Sequence, residues 1–502
     1  MAERYNASQL LDRNLEEGRG AKDAIHWAGG AVTYQQLHGM MCATGLRLRE
    51  LGVRREERVL LVMDDSPATV AAFLGSIRIG AIPVPVNPLL QRSQDYDHYL
   101  DDSLARVAVV DSSTIERVEG AIGRASEPVR LLRADEILGL PPAALDPAPT
   151  RRDDMAFWLY SSGSTGLPKG VVHLQHDIEY TCATYAQQVL GITEQDVVFS
   201  TTKLFHAYGL GNGMSFPLFA GACAVLLSGR PTPSSVLDTI ERLRPSLFFS
   251  APTLYNAILN QEGSQSRDLS SIRLCVAAAE ALPAEVWRRW KDSYDLTILD
   301  GIGSTEMLHI YCSNRPHELR PGSSGKPVPG YRMKILDPDG APVPVGEAGD
   351  MYVSGDSALA FYWGQHEKSK RSIQGEWFFT GDRYRVDEEG FHWYEGRSDD
   401  MIKVSGLWVS PVEVEGALLE HPGVVESAVV GVEIDGFTKI KAFVIPRGDG
   451  TPELAAQLQE HCRSRLQRYQ FPHLVEFVPE LPKTVTGKIQ RYKLRQPEVA
   501  LG

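Results

Sequence analysis

The chain reads as a multidomain α/β protein. A large N-terminal domain of stacked αβ subdomains with a small β-barrel-like unit is expected, followed by a smaller C-terminal α+β domain. Three observations predict this. Short apolar β-rich runs alternate with helical segments through the first half, as βαβ units with buried parallel strands require. From about residue 320 the texture turns to Pro, Gly and short strands. After residue 400 helices return beside a strand pair.

The elements follow in order. "TYQQLHGMMCATGLRLRELG" (33–52) has apolar positions at helical spacing and closes on a glycine. "RVLLVM" follows as a strand, "PATVAAFLGSIRIGA" as a helix and "ARVAVVD" as a strand. Further on, "DVVFST", "CAVLLSG", "PSLFFSAP" and "IRLCVAAA" are β-rich runs separated by helical segments. The stretch 321–355 predicts a small antiparallel unit, with "DPDG" and later "DEEG" as hairpin turns. Beyond "YEGRSDDMIKVSG", the runs "PVEVEGALLEH" and "PELAAQLQEHCRSRLQRY" read as helices flanking the strands "VVESAVVGVEI" and "IKAFVIP". The boundary is placed near Arg397 to Asp400. Residues 1–398 form the first domain, with its β-rich part at about 320–398, and residues 399–502 form the second.

Composition narrows the function. The 502 residues are 43% hydrophobic and 23% charged, an ordinary globular balance. The net charge of −13 argues against a nucleic-acid binder held by phosphate contacts. Six scattered cysteines without a CxxC pair read as reduced core thiols of a cytoplasmic protein. The N-terminus carries charge within three residues and has no apolar core of a secretory signal. The longest uncharged stretch, 207–229, is interrupted by glycines and Pro217, so a buried helix, a turn and a strand are expected there, and no membrane span. Between Arg463 and Arg495 eight Lys/Arg face two Asp/Glu, which suits either a solvated helix face or a surface that meets polyphosphate.

The chemistry starts at "YSSGSTGLPKG" (160–170). Gly163, Gly166 and Gly170 let the backbone approach a ligand closely. Ser161, Ser162, Ser164 and Thr165 supply hydroxyls, and Lys169 a point charge, so the loop suits a polyphosphate. It is not a Walker A loop, because Pro168 precedes Lys169 and Gly170 follows it. No GxSxG elbow and no HExxH occur, and "GLGNG" does not fit a dinucleotide site.

With "DGIGSTE" (300–306), "TGD" (380–382), "GRSDDMIKVSG" (396–406) and "PKTVTGKIQR" (482–491) in the same order and spacing, "YSSGSTGLPKGVVH" resembles the adenylate-forming acyl-CoA synthetases over nearly the whole chain. The resemblance implies ATP-dependent activation of a carboxylic acid as acyl-AMP, then transfer to a thiol, usually that of coenzyme A. It makes Glu306 a Mg²⁺ ligand, a hard oxygen donor for a hard ion. Thr305 joins Ser164–Lys169 around the β- and γ-phosphates. Asp382 takes the ribose hydroxyls, with Arg397 sharing that task. Asp300, Gly301, Ala279 and Glu280 become walls of the adenine pocket, where many relatives have glycine in place of Ala279. Lys488 becomes the cation that stabilises charge as the carboxylate meets the α-phosphate. Asp399 becomes the hinge of a mobile C-terminal domain, and Ser405 and Gly406 reach the pantetheine tunnel.

"FHAYGLGNG" (205–213), "STEMLHIYCSN" and "SDDMIKVSGLWVSPVEVE" resemble the benzoate-CoA ligase branch. His206 is then an aromatic gate, and Ala207, Tyr208, Gly209, Ile302, Gly303 and His309 line a slot for a flat aryl acid. Tyr208 and His309 read equally as ordinary core packing. The expected function is an aryl-CoA ligase acting on benzoate, hydroxybenzoate or 2-aminobenzoate. The alternative is a stand-alone adenylation enzyme that loads a phosphopantetheine on an acyl carrier protein supplied in trans. A monomer or homodimer is expected, without nucleic-acid or membrane partners.

Overall fold

The computed structural model describes residues 4–161, 167–398, 400–404, 407–434, 437–483 and 489–495, the side chain of Trp408 excepted. Two sheets with parallel cores dominate. The first has four parallel strands in the order Ile82–Pro85, Arg58–Val62, Val107–Val110, Arg130–Arg133. Its two central strands are near-continuous apolar runs, RVLLV and VAVV, because both faces are covered. The helix Tyr34–Glu50 packs against the helix Pro67–Arg78 beside it. The first of these starts where Thr33 and Gln36 form a reciprocal capping box.

The second sheet has nine strands. Six run parallel: Ile298–Gly303, Leu274–Ala277, Leu247–Ser250, Val197–Ser200, Cys223–Val225 and Asp23–Trp27. Antiparallel strands Gly30–Thr33 and Ile310–Ser313, the latter followed by Lys326–Pro327, finish the two edges. Segment 207–229 is buried along most of its length, as its composition implies. It winds through Ala207–Leu210, a π-helical turn at Gly211–Ser215 and Phe216–Ala220, turns at Gly221, and enters the strand Cys223–Val225. No helix among the described residues is long and apolar enough to cross a membrane. All six cysteines are buried and free.

A third, antiparallel sheet joins Met155–Ser161, Lys169–Leu174 and Phe361–Tyr362. The small β unit expected to be barrel-like is an antiparallel sheet of five strands whose hydrogen-bonded path does not close. It begins at Arg332, since Lys326–Pro327 belongs to the large sheet. "DEEG" turns the hairpin between Trp377–Val386 and His392–Arg397 as expected. Beyond it, Ile402–Val404 and Leu407–Val409 form a hairpin. The strands Val424–Ile434, Phe437–Pro446 and Leu474–Phe477 make a sheet with the helices Pro411–Leu419 and Pro452–Arg465. This last unit has its own apolar core, from Ile402 to Cys462, separate from the main core that ends at Tyr384.

Candidate active site

The chemistry-bearing motifs gather around the C-terminal end of the strand Ile298–Gly303. The following loop carries Glu306. Tyr362 donates its hydroxyl to Glu306 Oε1 at 2.9 Å. The amide of Leu359 closes on the Glu306 carbonyl at 2.7 Å. Tyr362 belongs to the short strand paired with Lys169–Leu174, so the same pairing brings Lys169 toward the carboxylate. Burial and the neighbouring Lys368 lower the Lys169 pKa, while Glu306 acts to raise it. Ser161 pairs with Lys169 across the hairpin, so the two ends of the glycine-rich loop are held in register. Ser162, Gly163, Ser164, Thr165 and Gly166 lie outside the described residues.

Thr305 is fixed through its backbone. His173 donates from Nε2 to the Thr305 carbonyl at 2.8 Å, and its Nδ1 is 2.7 Å from Asp177 Oδ2. The ring is fully buried and stacks on Phe157 with centroids 5.1 Å apart.

Asp382 and Arg397 are cross-strand partners on adjacent antiparallel strands. Arg397 donates from Nη1 to Asp382 Oδ1 and to the Thr380 carbonyl, both at 3.0 Å. Burial opposes the Arg397 charge, but Asp382, Tyr394 and Glu306 outweigh it and its pKa rises. Gly381 has φ +73°, a backbone that favours glycine, and a Cβ there would stand 2.8 Å from Arg397 Nη2 and displace it. Glu306, Asp382 and Arg397 all act electrostatically on the buried Tyr311, which places the three charged groups around one region.

On the adjoining strand ends, Ala277 pairs with Asp300. Burial pushes the Asp300 carboxyl well above its usual value, although amides of Leu282 and Gly301 pull the other way. Gly301 cannot carry a side chain cheaply, since a Cβ would meet the Cys312 carbonyl oxygen at 2.9 Å. Ala279 adopts φ +78°, a left-handed backbone that costs a non-glycine residue about 1–2 kcal/mol. The next residue, Glu280, accepts a hydrogen bond from Thr253.

The aryl residues cluster beside the same loop. His309 is enclosed by Phe216, Tyr185 and Tyr208, with ring centroids 4.4, 5.5 and 5.5 Å away. Its Nε2 donates toward Asn212 Oδ1 at 3.1 Å and the Tyr208 carbonyl at 3.3 Å. Among the described residues its Nδ1 has no hydrogen-bond partner. Tyr208 donates to the Val276 carbonyl at 3.1 Å. Ala207, Tyr208 and Gly209 share one short buried helix, Ile302 and Gly303 end the strand, and His206 precedes the helix with its ring against Phe205.

Burial holds His309 down to about 3. The unfolded residue titrates near 6.5 and the folded one near 3, so below about pH 6.5 only the unfolded chain takes up the proton. Stability from this group is complete above that pH. It is lost by about 1.4 kcal/mol for each unit of further acidification until the folded value is reached. His309→Gln is expected to flatten the urea-unfolding free energy between pH 6 and pH 4 by about that slope.

Sequence reasoning did not find Tyr362, His173, Tyr185 or Phe216. His173 closes the quoted run "GVVH" and was open to notice, whereas Tyr362 lies in no motif. Lys488, Asp399, Ser405 and Gly406 lie outside the described residues. No group of three or more His, Cys, Asp or Glu among the described residues could enclose a metal ion. A single carboxylate such as that of Glu306 would leave most of a cation's coordination to other donors, as Mg²⁺ shared with phosphates requires.

Two family models match this arrangement: AMP-binding enzyme over residues 11–363, and the AMP-binding enzyme C-terminal domain over residues 413–488. The chain therefore belongs to the AMP-binding enzymes. It is 46% identical to a benzoate–CoA ligase of Thauera aromatica, over 98% of this chain and 96% of that protein. It is 41% identical to a 4-hydroxybenzoate–CoA/benzoate–CoA ligase of Rhodopseudomonas palustris, over 99% and 95% respectively. The crystal structure of an anthranilate CoA ligase in complex with anthranoyl-AMP superimposes with a TM-score of 0.95 at 41% identity, over 98% and 97% of the two chains. Within its family the chain falls in the benzoate-CoA ligase-like branch.

Proposed function

We infer that the protein is an AMP-forming aryl-CoA ligase. A carboxylate oxygen of a benzoate-type acid attacks the α-phosphorus of ATP and pyrophosphate leaves. The thiol of coenzyme A then attacks the acyl carbon of the aryl-adenylate and AMP leaves. The observation that carries this reading is the reach of one segment, Ile302 to His309. Its far end, His309, sits in the buried aromatic cluster, and its middle carries Glu306 to Tyr362 and toward Lys169. Acid and nucleotide are thereby assigned to neighbouring parts of a single segment.

In this scheme Asp382, oriented by Arg397, accepts the ribose hydroxyls. Asp300, Gly301, Ala279 and Glu280 border the base. Thr305, Ser161, Lys169 and the loop Ser162–Gly166 hold the β- and γ-phosphates. Glu306 would hold Mg²⁺, which when bound neutralises phosphate charge. Lys488 stabilises the charge that develops at the α-phosphate. Ala207, Tyr208, Gly209, Ile302, Gly303 and His309 enclose the ring, with His206 at its entrance. The Nε2–H of neutral His309 is committed to carbonyl oxygens, so its Nδ1 remains an acceptor matched to an amino or hydroxyl substituent. The benzoate, 4-hydroxybenzoate and anthranilate named for the relatives are acids of this shape. The separate apolar core beyond residue 400 supports a second domain at 399–502 that turns about Asp399 and brings Ser405 and Gly406 to the pantetheine arm. Six buried free thiols suit a cytoplasmic enzyme.

The test is thioester formation with free CoA across benzoate, hydroxybenzoates and 2-aminobenzoate. Saturable acyl-CoA formation with equimolar AMP is the expected result. Release of pyrophosphate with thioester formed only on an added carrier protein would move the acceptor from CoA to that partner. Absence of pyrophosphate release with every acid would overturn the reading.

A further inference from the structure

We propose that Lys203 is a positioning residue for the acid subsite. Its buried ammonium ties together two sheets and so sets the place of the short helix that carries Ala207, Tyr208 and Gly209. The inference rests on reading that helix as part of the acid pocket.

Between Gly170 and Gly229 the sequence contains no other Lys or Arg. A lysine needs partners if its ammonium is to be buried. The side chain of Lys203 is 7% exposed. Its Nζ donates to Asp64 Oδ1 at 2.7 Å and to the Leu227 carbonyl, and stands 3.9 Å from Asp65 Oδ2. These partners come from different layers. Asp64 and Asp65 follow the strand Arg58–Val62 of the four-stranded sheet, while Leu227 follows Cys223–Val225 of the nine-stranded sheet. All lie at the C-terminal ends of parallel strands, where ligand sites of α/β sheets form.

The carboxylates are anchored in turn. Asp64 Oδ2 accepts from the Gly229 amide, and the Asp64 amide donates to Asp111. Asp65 Oδ1 accepts from the Leu204 amide at 3.0 Å. Burial lifts Asp65 to about 7 even with Lys203 opposing the shift, which shows how strongly this spot disfavours an uncompensated charge.

The clamp is coupled to the pocket through backbone alone. The His206 amide donates to the Lys203 carbonyl at 3.0 Å. A Cβ on Gly209 would sit 2.1 Å from the Lys203 carbonyl oxygen and 2.4 Å from that of Thr202. The helix therefore rests directly on the peptide that the ammonium pins. Displacement of that peptide moves Gly209 and, beside it, Tyr208, whose ring faces His309.

The experiment compares Lys203→Met, Lys203→Arg, Asp64→Asn and Tyr208→Ala in ATP–pyrophosphate exchange, with benzoate, 4-hydroxybenzoate and 2-aminobenzoate as acids. Lys203→Met is expected to raise the acid KM about tenfold or more and to change the ranking of the three acids, with the ATP KM within about twofold. Lys203→Arg restores most of the loss. Asp64→Asn, which keeps the size of the side chain, reproduces the acid-specific effect and stands in should Lys203→Met not fold. Equal losses for acid and ATP, or an unchanged ranking in both Lys203→Met and Asp64→Asn, would reduce Lys203 to a structural residue and overturn the proposal. Tyr208→Ala separates the two failures. An acid KM unmoved by Tyr208→Ala sinks the pocket reading itself, whereas an acid KM moved by Tyr208→Ala alone sinks only the role of Lys203.

Discussion

Lys488→Ala is expected to slow aryl-adenylate formation by about 10²–10³-fold and to leave thioester formation from supplied aryl-AMP within about threefold of the parent. The attack brings an anionic carboxylate toward an anionic α-phosphate, and the charge on the phosphoryl oxygens is greatest in the transition state. A cation held there acts where charge develops and has much less to do once pyrophosphate has gone. The described residues on either side of Lys488 show a stem able to present it. Lys483 and Ile489 bridge across the loop, and Lys483 pairs with Glu426 at 2.8 Å. Arg491 makes a fork on Glu415, at 2.7 Å to Oε2 and 2.9 Å to Oε1. Burial raises the Glu415 carboxyl and Arg491 draws it back, so the pair is a buried anchor for the loop. Single-turnover measurement of pyrophosphate release, beside CoA consumption from synthetic aryl-AMP, separates the two half-reactions. Equal loss in both would refute the division of labour.

The fold was legible wherever local chemistry decides structure. The helix Tyr34–Glu50 announces itself by apolar positions at helical spacing and a terminal glycine, and the strands of both parallel cores by short Val-, Leu- and Phe-rich runs. What stayed hidden is non-local. Asp23–Trp27 pairs in parallel with Cys223–Val225 across some 200 intervening residues, and nothing in either run names the other. Lys326–Pro327 looks like the start of the β unit because its Pro and Gly neighbours have that texture, yet hydrogen bonding assigns it to the large sheet. The π-helical turn at Gly211–Ser215 is likewise set by packing, since helical periodicity does not distinguish it from an α-turn.

The candidate site divides the same way. Glu306, Asp382, Arg397 and Lys169 sit in motifs whose composition has a chemical reason, and the fold does bring them to one region. Tyr362 and Lys203 act by touching a motif residue from outside it. A tyrosine or a lysine has no distinctive pattern when its role is to hold another residue in place. The burial of Lys203 and the carboxylates that compensate it emerge only from the packing of two sheets.

Asp382→Asn should raise the KM for ATP by about ten- to a hundredfold, with the acid KM within about threefold. An ionised carboxylate can accept from both ribose hydroxyls, and each charge-assisted bond is worth about 1.5–3 kcal/mol. The amide keeps the shape and one acceptor oxygen but removes the charge, and it leaves Arg397 beside a neutral group in a setting where burial already opposes the guanidinium. Gly381→Ala reaches the same end by another route. The added methyl strains a backbone at φ +73° and presses on Arg397 Nη2, so the Asp382–Arg397 pair is expected to shift although neither residue has changed. Both variants should therefore weaken ATP together and leave discrimination among aryl acids as it was. The check is ATP KM at saturating acid, set against acid KM at saturating ATP. A shift confined to the acid would place Asp382 outside the nucleotide site, since no ribose contact can act on the aryl acid without also acting on ATP.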